Sequence, residues 1–229
     1  MDLSEINFAV LVASLIVAST PLVLAALGEL IVEKAGVLNL GVEGMMIIGA
    51  VAGFIVGVET GSAYIGMIAA AVAGALLSLL FAFIILIMQA NQVASGLALT
   101  IFGLGIAALM GHPYTGIKSP QISTISIPIL SEIPILGTMF FQHDLIVYLS
   151  LISVLTIWYF LTRMRAGLIL RSVGEDHDVA HSLGYRVITI RFLAIVFGGA
   201  MAGVGGGYLS LFRVPQWTEG MTAGAGWIA

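Results

Sequence analysis

Some residues of this sequence have the types and spacing that chemistry uses. His177-Asp178-Val179-Ala180-His181 sets two imidazoles four positions apart, as in a helical metal pair. A zinc protease needs glutamate at the second place to activate water. Here Asp178 is shorter, and no third ligand is evident. A solvated helix face accounts better for the pair. The run from Gly111 to Ser119 nearly matches a phosphate-binding loop, but it has one residue too many between Gly116 and Lys118 and no strand–helix context. No ATP hydrolysis by this chain is expected. There is no Gly-x-Ser-x-Gly elbow, and the absence of cysteine excludes thiol nucleophiles, disulfides and thiolate metal sites. What remains is of another kind. Asn39, Glu43, Asn91 and Gln92 are polar groups within or beside long apolar runs. A carboxylate such as Glu43 costs several kcal/mol there unless it is paired or faces water. Glu175, Asp176 and Asp178 crowd together just before Val179, Ala180, Leu183 and Gly184. That pattern suits a short amphipathic helix, not a bond-breaking site.

The elements that position these groups follow from composition. Of 229 residues, 60% are hydrophobic and 9% charged, whereas a soluble domain carries about 25% charged residues. A water-soluble surface cannot be built from this, so the chain is integral to a membrane. The apolar runs are long and unalternating, which points to helices and not to a barrel. The expected fold class is therefore all-α: a polytopic transmembrane helical bundle of about six spans, forming a single domain over 1–229. A net charge of -4, thinly spread, gives no reason to expect a nucleic-acid partner. Asp2 and Glu5 precede the first apolar run where a signal peptide would be basic, so that run reads as a permanent span.

The expected spans are residues 7–31, 36–57, 63–88, 93–110, 144–162 and 192–212. Ser19-Thr20-Pro21 should kink the first, with a hydroxyl helping to satisfy the carbonyl that proline frees. The second contains Asn39 and Glu43, and Gly36 and Gly41 suggest a broken start. Glu43 then either braces a helix start near the interface or faces the interior. The polar tetrad 89–92 separates the third and fourth spans. The connection 111–143 has prolines at 113, 120, 128 and 134, which argue against a full span and for short extended or re-entrant pieces. The sixth span carries Gly198, Gly199, Ala202, Gly203, Gly206 and Gly207 on one face, where another backbone can approach closely. The tail after Phe212 stops in mid-pattern, so the natural chain is expected to continue.

Orientation follows from the basic residues. Of eight Lys and Arg, five lie between 163 and 191: Arg163, Arg165, Arg171, Arg186 and Arg191. The positive-inside rule makes this loop cytoplasmic and places 111–143 and the N-terminus outside. Within the loop, the acidic group suits the positive end of a helix and Gly184 is a good stop. A helix of about two turns over 175–184 is expected. It is too short to stand alone. It either packs on its own domain as a connector or docks into a groove on a cytoplasmic partner.

Several segments taken together resemble the permease subunits of bacterial ABC importers, the family of ribose, branched-chain amino-acid and nucleoside permeases. They are GVLNLGVEGMMIIGA at 36–50, ANQVASGLAL at 90–99, RSVGEDHDVAHSLGYRV at 171–187 and FGGAMAGVGGGYLSL at 197–211. The version with Asn-Leu-Gly-Val-Glu-Gly-Met-Met looks like the nucleoside and simple-sugar branch. The resemblance implies a multi-pass protein of the bacterial inner membrane whose 175–184 helix couples to a separate ATPase subunit through Glu175, Asp176, Asp178, Val179, Ala180, Leu183 and Gly184. It also implies a second permease subunit, alike or different, an extracytoplasmic substrate-binding protein or lipoprotein, and surrounding membrane lipid. No cofactor is expected on this chain; ATP and magnesium belong to the ATPase. Two departures stand out. The family often has Asn-Pro where Asp176 and His177 stand here, and its tail usually reads Gly-Arg-Gly-Trp where this chain has Ala225 for the arginine. The family also runs on for roughly two more spans.

The expectation is alternating access driven by ATP on the partner, carrying a nucleoside or a simple sugar, with Asn39, Glu43, Asn91 and Gln92 as the groups to test for solute contact. Simple-sugar or branched-chain amino-acid import is the near alternative. An ion-coupled secondary transporter is the rival of another class and would need an ionisable group near the midplane, for which Glu43 is the candidate. A membrane scaffold with no transport role is a further rival.

Overall fold

A computed structural model describes residues 8–120, 125–126 and 136–229. Among them six helices are long and apolar enough to cross a membrane. They are α1 (Phe8–Lys34), α2 (Val42–Thr60), α3 (Ala63–Ala82), α4 (Gln92–Gly111), α6 (Leu145–Arg163) and α9 (Val187–Tyr208). α3 continues through a π-helical turn, Phe83–Ile87, and α9 through another, Leu209–Arg213. Shorter helices are α5 (Leu136–Phe140), α7 (Arg165–Glu175), α8 (His177–Ser182) and α10 (Ala225–Ile228). The expected all-α polytopic bundle is what the chain forms. Its extended pieces are β1 (Ile125–Ser126) and β2 (Gln142–His143), paired antiparallel with Ile125 opposite His143. Part of the 111–143 connection, including Pro128 and Pro134, lies outside the described residues.

Several boundaries differ from the sequence expectation. α2 starts at Val42, not at residue 36. Gly36 takes a left-handed φ of 78°, and residues 36–41 lead into the helix without joining it. α9 starts five residues earlier than residue 192. The Arg191 Nε donates to the Ala35 carbonyl at 3.1 Å, so this arginine closes the end of α1 and need not lie in a wet loop. α1 runs on through Pro21 as one helix. The Ser19 and Thr20 hydroxyls donate to the Ile16 carbonyl at 3.0 and 2.9 Å, one residue before the carbonyl of Val17 that proline frees.

α9 is the axis of the bundle, and its small residues set the packing. Gly198 lies against Gly28 and Gly205 against the Pro21 carbonyl, so α1 runs antiparallel to it. Gly203 abuts Gly49 and Gly207 lies near Gly53, so α2 runs parallel. Gly199 meets Gly74 and Gly203 meets Ala70, which places α3 antiparallel on a third side. A Cβ on Gly28 would come within 2.8 Å of the Gly198 carbonyl. The small-residue face thus brings three helices within backbone contact of a fourth, where dispersion and not hydrophobic transfer holds helices together in lipid. α6 packs on α1 through Leu27, Ile31, Ile157 and Leu161. α7 lies across the ends of α1 and α6: Gly167 rests on the Phe160 carbonyl and Gly174 on that of Lys34. We call this end, with its cluster of arginines, the basic end.

Candidate functional site

The lead-in to α2 is built from non-helical backbone, and such backbone inside a membrane protein needs partners for every peptide group. The Leu38 N–H donates to Gln92 Oε1 at 2.8 Å. Asn39 donates to both oxygens of Glu29, from its backbone N–H and from Nδ2, each at 3.2 Å. Its own Oδ1 accepts the Gly41 N–H at 3.1 Å. The Leu40 carbonyl accepts from Thr100 Oγ1 at 3.0 Å and from Trp227 Nε1 at 3.1 Å. Asn39 and Gln92 therefore meet on one short segment. Asn91 does not join them: it is the N-cap of α4, accepting the Ala94 N–H at 3.0 Å, and it is exposed.

Glu43 sits one turn further on, only 3% exposed. Its carboxylate accepts from Thr222 Oγ1 at 2.6 Å, from the Gly224 N–H at 2.9 Å and from the Gly226 N–H at 2.7 Å. The carboxylate does not cap its own helix. It clasps the tail, holding the left-handed Gly224 turn that begins α10. The depth of this clasp follows from packing. With Gly49 level with Gly203 on a parallel helix, Glu43 lies about 15 Å from the start of α9, at 1.5 Å per residue. The clasp is therefore well inside the bundle. Next to it a cleft of about 580 Å³ opens between α1, the lead-in and α10, with Glu29, Glu33, Asn39, Leu40 and Trp227 on its walls.

At the basic end, the acidic group expected to open one helix is divided between two. Glu175 is the last residue of α7. Asp176 leaves the helical region (φ −150°, ψ 103°) and caps α8, accepting the Asp178 and Val179 N–H groups at 3.0 Å each. An N-cap residue has extended backbone by nature, so α8 begins at His177 and not at residue 175. Gly184 ends it with φ 86°, and the Tyr185 N–H reaches back to the Ala180 carbonyl at 3.1 Å. Ala180 is buried. Val179 and Leu183, one turn apart, are 55% and 69% exposed, and Asp178 lies beside them in solvent. α8 therefore shows an outward apolar pair on a polar segment.

Sequence reasoning missed Glu29, Thr222, Gly224, Gly226 and Trp227. Glu29, close to the end of the first apolar run, reads from the sequence as that span's wet end, whereas the structure half-buries it against Asn39. Gly224, Gly226 and Trp227 stand in the tail that resembles Gly-Arg-Gly-Trp, but nothing local names their partners: Thr222, Gly224 and Gly226 bond to Glu43, 179 to 183 positions away, and Trp227 to Leu40, 187 away.

The family described as branched-chain amino acid transport system / permease component matches residues 11–229. The chain is 41% identical over 216 residues to a putative glucose ABC transporter permease protein of Haloferax volcanii, covering 93% of this chain and 66% of that protein. It is 34% identical over 244 residues to a guanosine ABC transporter permease protein of Bacillus subtilis, covering 100% of this chain and 75% of that one. A nucleoside ABC transporter permease protein of Lactococcus lactis is 31% identical over 231 residues, with 96% and 73% covered. No solved structure matches the chain.

Proposed function

This chain belongs to the branched-chain amino acid transport system / permease component family, and from that premise we propose that it is the membrane permease of an ATP-driven importer for a nucleoside or a simple sugar. The observation that carries the reading is the family match over residues 11–229, in company with relatives named for guanosine, nucleosides and glucose. The basic end faces the cytoplasm. There α8 seats on a separate ATPase, with Val179 and Leu183 entering a groove on that subunit and Asp176 holding the helix start. ATP and magnesium bind the ATPase, not this chain. A second permease completes the path, and an extracytoplasmic binding protein delivers the solute. Closure of the ATPase pair moves α8, and α7 and α9 pass the shift into the bundle. The solute meets the broken start of α2, where Asn39, Gln92 and the Glu43 clasp line or brace the way.

An ion-coupled reading would need Glu43 to exchange a proton or cation. A carboxylate this buried, with three donors already on it, is ill placed for that role. The test is radiolabelled nucleoside and pentose uptake in cells that express the chain with its partner permease and binding protein, with and without the ATPase. Uptake that depends on the ATPase is expected. Uptake that persists without it and collapses with the ion gradient would overturn the reading.

A further inference from the structure

α6 and α9 part company at the basic end, and α7 roofs the gap. The result is an apolar groove of about 600 Å³. Ile157 of α6 and Leu170 of the α7 roof, each 6% exposed, are its most buried walls. Phe160, Met164, Leu193 and Phe197 form its sides, and the last three are 46%, 61% and 39% exposed. The groove runs along the basic-end thirds of two spans, at the depth of one leaflet's acyl chains. Trp158 and Tyr159, both exposed, stand at the same level, where aromatic belts sit. Apolar space at that depth does not hold water, because its walls offer almost no polar partner. Left empty, it forfeits dispersion contacts along every wall.

The rim of the groove is cationic. Arg163 and Arg165 flank the groove residue Met164, and Arg186 follows the groove residue Tyr185. All three are exposed. Among the described residues no carboxylate lies within 4.0 Å of them; the ion pair found there joins His177 to Asp178. Glu175 ends α7, ten residues from Arg165, and Asp176 and Asp178 open α8, eight residues or more before Arg186.

We propose that this groove is a binding site for an anionic phospholipid of the cytoplasmic leaflet. One acyl chain lies between α6 and α9 under α7, and the headgroup phosphate meets Arg165 and Arg186. Guanidinium groups suit a phosphate because their forked N–H donors match its oxygens. The groove's hydrocarbon walls and its uncompensated charge call for one molecule with an apolar tail and an anionic head. The site is separate from the Glu43 clasp, and it depends on membrane placement alone, not on which solute is carried.

The test is native mass spectrometry of the full-length permease complex, delipidated and titrated with phosphatidylglycerol or phosphatidylcholine. The wild type should retain phosphatidylglycerol in preference to phosphatidylcholine. Each surface arginine contributes about a fivefold preference for a net anion, so R165Q/R186Q should weaken phosphatidylglycerol binding about thirtyfold and phosphatidylcholine binding much less, because the choline cation already offsets that lipid's phosphate. Ala166→Trp, at an exposed groove position, fills the space from outside the core and should expel the lipid with both arginines intact. Equal retention of the two lipids by the wild type, undiminished phosphatidylglycerol on the Ala166→Trp protein, or a protein segment cross-linked into the groove would each overturn the proposal.

Discussion

At the scale of single residues, Glu43 decides most. A carboxylate offers acceptors in two directions, and here both oxygens are used: Oε1 by Thr222 and Gly224, Oε2 by Gly226. Glu43→Gln keeps the shape but turns one acceptor into a donor, which then faces an N–H or hydroxyl group. One buried donor is left unmatched, at a cost of about 1–3 kcal/mol. The expected result is a lower midpoint of thermal unfolding in detergent and faster proteolysis of residues 218–229. Gly226→Ala strikes the same contact from the other side, because its Cβ would come 2.7 Å from the Glu43 Cα. The two changes should be less than additive when combined. Wild-type stability in the Glu43→Gln protein would show that the clasp contributes nothing. The sequence flagged Glu43 by the simple expense of burying it. It could not name the partners, because hydrogen bonds across this many positions depend on how helices stack and not on local spacing.

Among the elements, the spans were legible and the pieces between them less so. Long uncharged runs locate helices in lipid because nothing else satisfies the backbone there. The lead-in at 36–41 was legible as a break from Gly36 and Gly41, but not as a segment tied down by Glu29, Gln92, Thr100 and Trp227. α7 was hidden by its own arginines: the 163–191 segment reads as wet, yet Gly167, Leu170 and Val173 fall at helical spacing and are buried. The stripe on α9 was legible, and the structure makes it specific. A Cβ on Gly206 would collide with the Met46 carbonyl, whereas a Cβ on Gly105 of α4 meets nothing within 4 Å. Gly206→Ala should therefore abolish folded, monodisperse protein on size-exclusion chromatography. Gly105→Ala should be neutral or stabilising by up to about 1 kcal/mol, the helix-propensity difference. α8 carries its own prediction. Leu183→Asp or Val179→Asp, both at exposed positions, should leave the protein in the membrane at wild-type level. In a reconstituted complex ATP hydrolysis should continue while uptake falls at least tenfold, the effect of losing about 1.4 kcal/mol or more of docking. Normal uptake by both variants would end the assignment of α8 as the lever.

For the whole molecule, the packing argues how a push at α8 travels. α9 touches α1, α2 and α3 backbone to backbone through glycine and alanine, with Ser210 Oγ also bonded to the Ala50 carbonyl at 2.8 Å. Contacts this close have no slack, so the four helices should move as one body. The weaker joints are elsewhere. α6 meets this body mainly through α1, and α7 and α8 rest on its basic end by small patches. The opposite end is tied by the Ser119 hydroxyl, which donates to the Leu211 carbonyl at 2.9 Å, and by the pairing of Lys118 with Gln216. Shear between packed bodies, and not bending of a helix, is the motion such an arrangement permits. Hydrogen–deuterium exchange on the assembled complex checks this, because amides report the opening of each region separately. On addition of a non-hydrolysable ATP analogue, exchange should change in α7, α8 and the basic-end turns of α6. The stretch from Gly198 to Gly207 should stay as protected as before. If exchange in that stretch rose as much as in α8, α9 would be flexing through its glycines, and the rigid-body account would fail.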